Sequence, residues 1–341
     1  MLKVAILGAS GAVGQELLST LEQRQFPCDE LVLLASERSA GKKLPFRGRL
    51  LEVQAVTETS FEGVQIGLFS AGASISAKWG PIAAAAGAIV VDNTSHFRMH
   101  ENVPLVVPEV NGDLLSQRPP AGIIANPNCS TIQMVHVLEP LHKAYGLKRV
   151  VVATYQSTSG KGSRAMDELT EQTAALLEGD EAEVEQFQHQ IAFNLIPQID
   201  SFTDSGYTKE ELKMINETRK IMRAPDVMVS ATCVRVPVYR CHSESVNAEF
   251  HKPVDVAEVR RLLAATHNVV VVDNPAKNEY PMPVYSEGRD ETFVGRIRKD
   301  LSNAAGTGLE MWVVSDNLRK GAALNAVQIA EELLRRGVVK R

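Results

Sequence analysis

An α/β nucleotide-binding domain followed by an α+β domain with a mostly antiparallel sheet is the fold class this sequence predicts. Three observations predict it. The chain opens on a short apolar strand, Leu2-Lys3-Val4-Ala5-Ile6-Leu7, which runs into Gly8-Ala9-Ser10-Gly11-Ala12-Val13-Gly14 and then a helical pattern through Leu17, Leu18 and Leu21. Strand and helix patterns alternate from there to residue 128, the texture of a parallel sheet with crossover helices. Beyond it the strands lengthen and alternate polar with apolar residues, as over 227–238, 245–250 and 293–298, which suits a sheet with helices on one face.

The opening strand, glycine turn and helix give the context that a dinucleotide fingerprint requires. Gly8 and Gly11 allow the tight turn and the close approach of a pyrophosphate, and the helix start beside Ser10, Ala12 and Val13 receives its charge. The first domain is therefore Rossmann-like. The second strand, Glu30–Ala35, would end in an acidic residue if it read the ribose of NAD. It ends instead in Ser36-Glu37-Arg38-Ser39. Ser36, Arg38 and Ser39 can hold a 2′-phosphate by charge-assisted hydrogen bonds, so NADP is the expected cofactor, although Glu37 would repel a phosphate if it pointed inward. A strand over 65–70 ends in Ala71-Gly72-Ala73, a helix spans 77–86, and a strand over 88–91 runs into the polar loop Asp92–Arg98. Loops at the carboxyl ends of parallel strands are where ligands bind.

Gly122-Ile123-Ile124-Ala125 is the next buried strand, and Asn126-Pro127-Asn128-Cys129-Ser130-Thr131 leads from it into a helix. Cys129 then stands at a helix N-terminus. Unpaired N–H groups and the positive end of the dipole favour a thiolate there and can stabilise an oxyanion on a carbonyl it attacks. The strand Arg149–Gln156 enters the loop 157–162, and helices over 163–177 and 209–222 flank an irregular stretch through Ile196-Pro197-Gln198-Ile199. A patterned helix over 318–335 returns to the first domain. The expected boundaries are 1–128 plus 318–341 for the nucleotide domain and 129–317 for the second. A cysteine nucleophile needs a base, and among the eight histidines His242 stands out. It follows a strand whose Arg235 sits among β-branched apolar residues, where burial requires an anion. A structural salt bridge or a substrate carboxylate would serve.

The composition excludes several classes. A formal net charge of -5 with dispersed Lys and Arg leaves no footprint for nucleic acid or an anionic membrane. The most apolar stretch, 82–91, is too short to span a bilayer, and the first residues already read as a core strand rather than a leader. Cys28, Cys129, Cys233 and Cys241 show no Cys-x-x-Cys pair and no zinc spacing, so no metal is expected and four free thiols suit a reducing cytoplasm.

Gly8–Gly14, Asn126–Thr131, Gln156-Ser157-Thr158-Ser159-Gly160, Arg235-Val236-Pro237 with His242, and Asp316-Asn317-Leu318-Arg319-Lys320-Gly321 occur in that order. Together they resemble the bacterial NADP-dependent aspartate-semialdehyde dehydrogenase family, over the whole chain. The resemblance implies a second domain that carries the active site and a homodimer interface. It implies reversible reductive dephosphorylation of aspartyl-4-phosphate to aspartate semialdehyde, with inorganic phosphate, in the route to lysine, threonine, methionine and isoleucine. By the same resemblance Cys129 is the nucleophile that forms an acyl-thioester, His242 the acid–base group and Gln156 the positioning amide. Arg235 pairs with the substrate α-carboxylate and Glu210, or its neighbour Glu211, with the α-ammonium. Arg98 and Lys213 bind phosphate. Ser10 to Val13, Arg38, Ser39, Ser159, Gly160 and Asn317 contact the cofactor. Cys241, beside His242, adds a second thiol. N-acetylglutamyl-phosphate reductase has a related plan, but Asn128 and Ser130 around the cysteine argue against it. A silent NADP-binding paralogue would have no use for the cysteine, histidine, glutamine and arginine, and a cysteine hydrolase none for the glycine turn.

Overall fold

Residues 1–340 are described by the computed structural model, and β1 (Lys3–Leu7) is the middle strand of a seven-stranded sheet. Its apolar run is buried on both faces, as a central parallel strand requires. α1 (Ala12–Gln23) follows the glycine turn, then β2 (Glu30–Ala35), β3 (Lys43–Phe46), β4 (Arg49–Ala55), β5 (Ile66–Phe69), α2 (Ala73–Ala85), β6 (Ile89–Asp92), α3 (Pro108–Asn111) and β7 (Ile123–Ala125). The strand order is β3-β4-β2-β1-β5-β6-β7, parallel except for the β3–β4 hairpin. Leu17, Leu21, Leu33, Val91 and Ile124 belong to one buried core.

The chain then enters a second compact unit, Cys129–Gly321. It contains α4 (Cys129–Tyr145), β8 (Leu147–Gln156), α5 (Ser163–Glu178), α6 (Lys209–Ile221), β9 (Met228–Arg235), β10 (His242–Phe250), α7 (Val256–Ala264), β11 (Val269–Val271), α8 (Pro283–Ser286), β12 (Thr292–Lys299) and β13 (Gly308–Ser315). The six strands pair in the order β11-β12-β13-β10-β8-β9. From β12 through β13 and β10 to β8 each neighbouring pair is antiparallel, and the two edge strands, β11 and β9, pair in parallel with β12 and β8. α4, α6 and α7 pack on this sheet. Leu169 of α5 joins Phe187, Ile191 and Ile196 in a small buried cluster that fastens the irregular stretch before α6.

The last helix, α9 (Leu324–Arg335), belongs with the first unit, Met1–Asn128 and Ala322–Arg341, where it packs on α1 and β6. It starts later than the sequence pattern over 318–335 predicts. Asp316 Oδ1 accepts the N–H groups of Leu318 and Arg319, at 3.0 and 3.3 Å, and Arg319–Ala323 forms a π-turn before the α-helix begins. Such widened turns concentrate at functional sites. The strand expected over 227–238 ends at Arg235, ahead of Pro237, which has no N–H to give a ladder. No helix among the described residues is long and apolar enough to cross a membrane.

Candidate active site

Three strand ends meet at one edge of the second sheet. β8 ends on Gln156, β9 ends on Arg235 in register with it, and β10 begins at His242 beside them. α4 begins at Cys129, with no acidic residue in its first turn to oppose a thiolate. The π-turn brings Gly321 against that helix start. A Cβ on Gly321 would lie 2.8 Å from Cys129 Cβ, so only glycine fits there.

Cys129 differs from the other thiols. Burial pushes Cys28 up to about 11 and raises Cys233 and Cys241 further, so all three stay protonated and inert. Cys241, the second thiol beside His242, is fully buried. Cys129 is half-exposed, and its charge and that of Arg235 act on one another.

His242 is fully buried. The Ser157 backbone N–H donates to its Nδ1 at 3.1 Å, which assigns the ring proton to Nε2. Nε2 has no hydrogen-bond partner among the described residues. A Cβ on Gly160 would lie 3.3 Å from it and 2.9 Å from Arg235 Nη1, so the absent side chain leaves room over both groups. In this tautomer the ring offers a donor. To act as a base toward a thiol it would have to exchange tautomer and give up the Ser157 bond. Burial first, and Arg235 second, hold its pKa down at about 3 against an ordinary 6.5. Between those values the unfolded chain binds a proton that the folded chain refuses, so stability falls as pH is lowered through this window. Denaturant titrations at pH 7 and pH 4 should show the wild type losing about 2–4 kcal/mol more than His242→Gln. Equal losses would mean that the folded protein accommodates the imidazolium.

Arg235 is buried, 6% exposed, and donates to the Ser157 carbonyl at 2.5 Å. Its guanidinium lies over the Phe187 ring, 6.0 Å from the centroid. It makes no ion pair within 4.0 Å among the described residues, and burial depresses its pKa. Such a cation calls for an anion. Arg235 lines a cavity of about 520 Å³ with Gly160, Phe187, Asp200, Glu210 and Lys213.

The two adjacent acids of α6 separate cleanly. Thr208 caps the helix, and Glu211 completes the capping box by accepting the Thr208 N–H at 2.7 Å and the Cys233 N–H at 3.0 Å. Glu211 is thus occupied by the backbone. Glu210 instead accepts from Gln156 Nε2 at 3.4 Å and pairs with Lys213 at 3.0 Å, one turn along. Lys213 also pairs with Asp200 at 2.9 Å. Burial works against its charge, but these carboxylates prevail and raise its pKa. Asp200 was not singled out by any sequence motif. Asn317, expected at the cofactor, directs its amide inward. Its Oδ1 accepts from Ser157 Oγ, Ser159 Oγ and the Cys241 N–H at 3.1, 3.1 and 2.9 Å, so it braces the loop beside His242.

The remaining expected residues lie in the first unit. Gly8 has φ +93°, and a Cβ there would lie 2.9 Å from Ala71 N; one on Gly14 would lie 2.2 Å from Gly8 O. The fold itself demands those two glycines. A Cβ on Gly11 would meet nothing closer than 3.4 Å, so its open face at the start of α1 is free for a ligand to approach, as a pyrophosphate does. Ser10, Ala12 and Val13 flank it, and Ser36, Arg38 and Ser39 follow β2 in an exposed to half-exposed turn. The residues therefore fit a dinucleotide. Arg98 is buried and donates to the carbonyls of Asn126 and Asn93 at 2.9 and 2.8 Å.

A family model described as the semialdehyde dehydrogenase NAD binding domain matches residues 3–118, and one described as the semialdehyde dehydrogenase dimerisation domain matches residues 138–320. The aspartate-semialdehyde dehydrogenase of Aquifex aeolicus is 55% identical over 339 residues, 99% of each chain. The chain belongs to the aspartate-semialdehyde dehydrogenase family. Among solved structures, aspartate semialdehyde dehydrogenase II of Vibrio cholerae complexed with ASA matches with a TM-score of 0.95 at 52% identity, over 98% of each chain. The Candida albicans aspartate semialdehyde dehydrogenase with NADP matches with a TM-score of 0.76 at 26% identity, over 99% of this chain and 100% of that one. As a member of the aspartate-semialdehyde dehydrogenase family, the chain is an NAD(P)-dependent oxidoreductase of amino-acid biosynthesis with an aldehyde substrate.

Proposed function

We propose that this chain interconverts aspartyl-4-phosphate and aspartate 4-semialdehyde through an acyl-thioester on Cys129, with NADP as cofactor and a homodimer as the working assembly. The observation that carries the assignment of roles is Arg235, a buried guanidinium without an ion pair that shares one cavity with Glu210 and Lys213. Two cations and an acid in one cavity match an α-carboxylate, a phosphate and an α-ammonium.

Arg235 holds the α-carboxylate and Glu210 the α-ammonium, with Gln156 bonded to Glu210 and orienting the substrate between them. The Cys129 thiolate attacks the acyl carbon, the bond to the phosphate oxygen breaks, and phosphate leaves toward Lys213, with Arg98 as the cation expected from the first unit. His242 Nε2–H donates to the carbonyl oxygen as it gathers negative charge, and the N–H groups at the start of α4 assist. The nicotinamide cofactor, when bound, supplies hydride in this direction and accepts it in the reverse. As the aldehyde forms, sulfur departs as the thiolate, which the helix terminus again stabilises.

Two measurements test the assignment. Lys213→Leu should raise the KM for phosphate about 5- to 150-fold, while the KM values for aldehyde and NADP stay within about threefold, since loss of a phosphate contact removes roughly 1–3 kcal/mol. A collapse of aldehyde binding with unchanged phosphate saturation would move Lys213 to the amino-acid end. For the cofactor, the ribose turn holds Arg38 between two serines. Catalytic efficiency should favour NADP over NAD, and Arg38→Ala should narrow that ratio by about tenfold. An unchanged ratio would remove Arg38 from the 2′-phosphate.

A further inference from the structure

A second polar layer lies beneath the reacting groups. Glu244 follows His242 by two residues on β10, on the same face of the strand. It is 0% exposed, and neither carboxyl oxygen meets hydrogen-bond geometry with any group among the described residues. The register sets Thr154 of β8 and Val313 of β13 beside it, and neither is charged. α4 covers this part of the sheet and brings Gln133, itself buried, one turn after Cys129. Gln133 Nε2 donates to the His242 carbonyl at 3.3 Å, while its Oε1 has no partner among the described residues. A buried amide and a buried carboxyl, each with unsatisfied oxygen, face one another between the helix of the nucleophile and the strand of His242.

We propose that Gln133 and Glu244 form a positioning pair that fixes Cys129, on the first turn of α4, relative to the His242 ring. Glu244 is the neutral acid of the pair. Burial without any neighbouring cation raises its pKa well above the ordinary value, and the Gln133 amide opposes this only in part. A protonated carboxyl can donate to an amide oxygen as well as accept from an amide N–H, so one proton satisfies orphan groups on both side chains. A carboxylate at the same position would be an uncompensated buried charge. The pair touches neither substrate nor cofactor in this reading, and it rests on the assignment of Cys129 and His242 above.

The prediction separates chemistry from folding. In the full-length enzyme assayed with aspartate semialdehyde, phosphate and NADP, Gln133→Leu and Glu244→Leu should each lower kcat about 10–100-fold, with KM for the aldehyde within about twofold. The double variant should be no slower than the slower single one, because both remove one device. Glu244→Gln is neutral, of the same size and able to donate, so it should restore kcat to within about threefold of wild type. Glu244→Gln losing as much as Glu244→Leu, or unchanged kcat in both leucine variants, would overturn the pair. Should the leucine variants fail to fold, Gln133→Asn withdraws the amide from the His242 carbonyl without adding apolar bulk and carries the same prediction. Infrared spectroscopy gives a readout independent of turnover. A protonated-carboxyl band should be present in the wild type at neutral pH and absent from Glu244→Gln, and its absence from the wild type would refute the neutral acid. Cys129→Ala assayed alongside distinguishes the failures. Activity surviving there overturns the nucleophile, whereas unchanged kcat in both leucine variants beside an inactive Cys129→Ala overturns the pair alone.

Discussion

Cys129→Ala should lose at least about 10⁴-fold in kcat in both directions, the scale seen when an enzyme loses its nucleophile. NADP binding, followed by fluorescence or calorimetry, should be unchanged, because the glycine turn belongs to the other unit. Cys129→Ser should recover little, since a hydroxyl is a far weaker nucleophile at neutral pH. The three remaining thiols cannot substitute. Each is buried and held protonated. Turnover within tenfold of wild type in the alanine variant would mean that the aldehyde is oxidised without a thioester.

Arg235→Leu should produce the second largest loss. Truncating one partner of a buried charge pair costs about 2–5 kcal/mol, which corresponds to roughly 30- to 5,000-fold in kcat/KM. The loss should appear mainly in kcat/KM for the aldehyde and leave the KM for phosphate nearly unchanged. Arg235→Lys should recover only part, because an ammonium cannot make the planar, two-pronged contact to a carboxylate. If an analogue lacking the α-carboxylate is used equally well by wild type and Arg235→Leu, but the full substrate also shows no difference, the guanidinium is structural. Its single bond to the Ser157 carbonyl and its place over Phe187 would then be its whole role.

Much of this site was legible in the sequence, for reasons that differ by residue. Cys129 was legible because the apolar strand before it and the helical spacing after it leave one position for a thiol, the helix start. The glycine turn was legible because strand, turn and helix fall in a fixed order. Arg235 was legible as a charge inside a β-branched run. The choice between Glu210 and Glu211 was not legible, because two adjacent acids in a first helical turn look alike. What distinguishes them is that the Thr208 cap of the same helix and the Cys233 N–H of β9 occupy Glu211. The tautomer of His242 depends on a backbone N–H from a different strand end, and nothing in the sequence around Asn317 signals that its Oδ1 gathers Ser157, Ser159 and the Cys241 N–H. The β3–β4 hairpin escaped notice for a local reason. Its turn residues, Arg47 and Gly48, both have positive φ, as the tight hairpin turn requires, but arginine stands where asparagine usually signals it. Arg47 is held there by donating to the carbonyls of Phe26 and Cys28.

Mass spectrometry of the trapped acyl-enzyme tests the central claim most directly. The enzyme is incubated with aspartate semialdehyde and NADP without phosphate, quenched in acid and digested. An aspartyl adduct should appear on the peptide containing Cys129, should vanish when phosphate is added before the quench, and should be missing from Cys129→Ala. An adduct confined to Cys28, Cys233 or Cys241, or NADPH formed in a stoichiometric burst with Cys129 unmodified, would contradict the account.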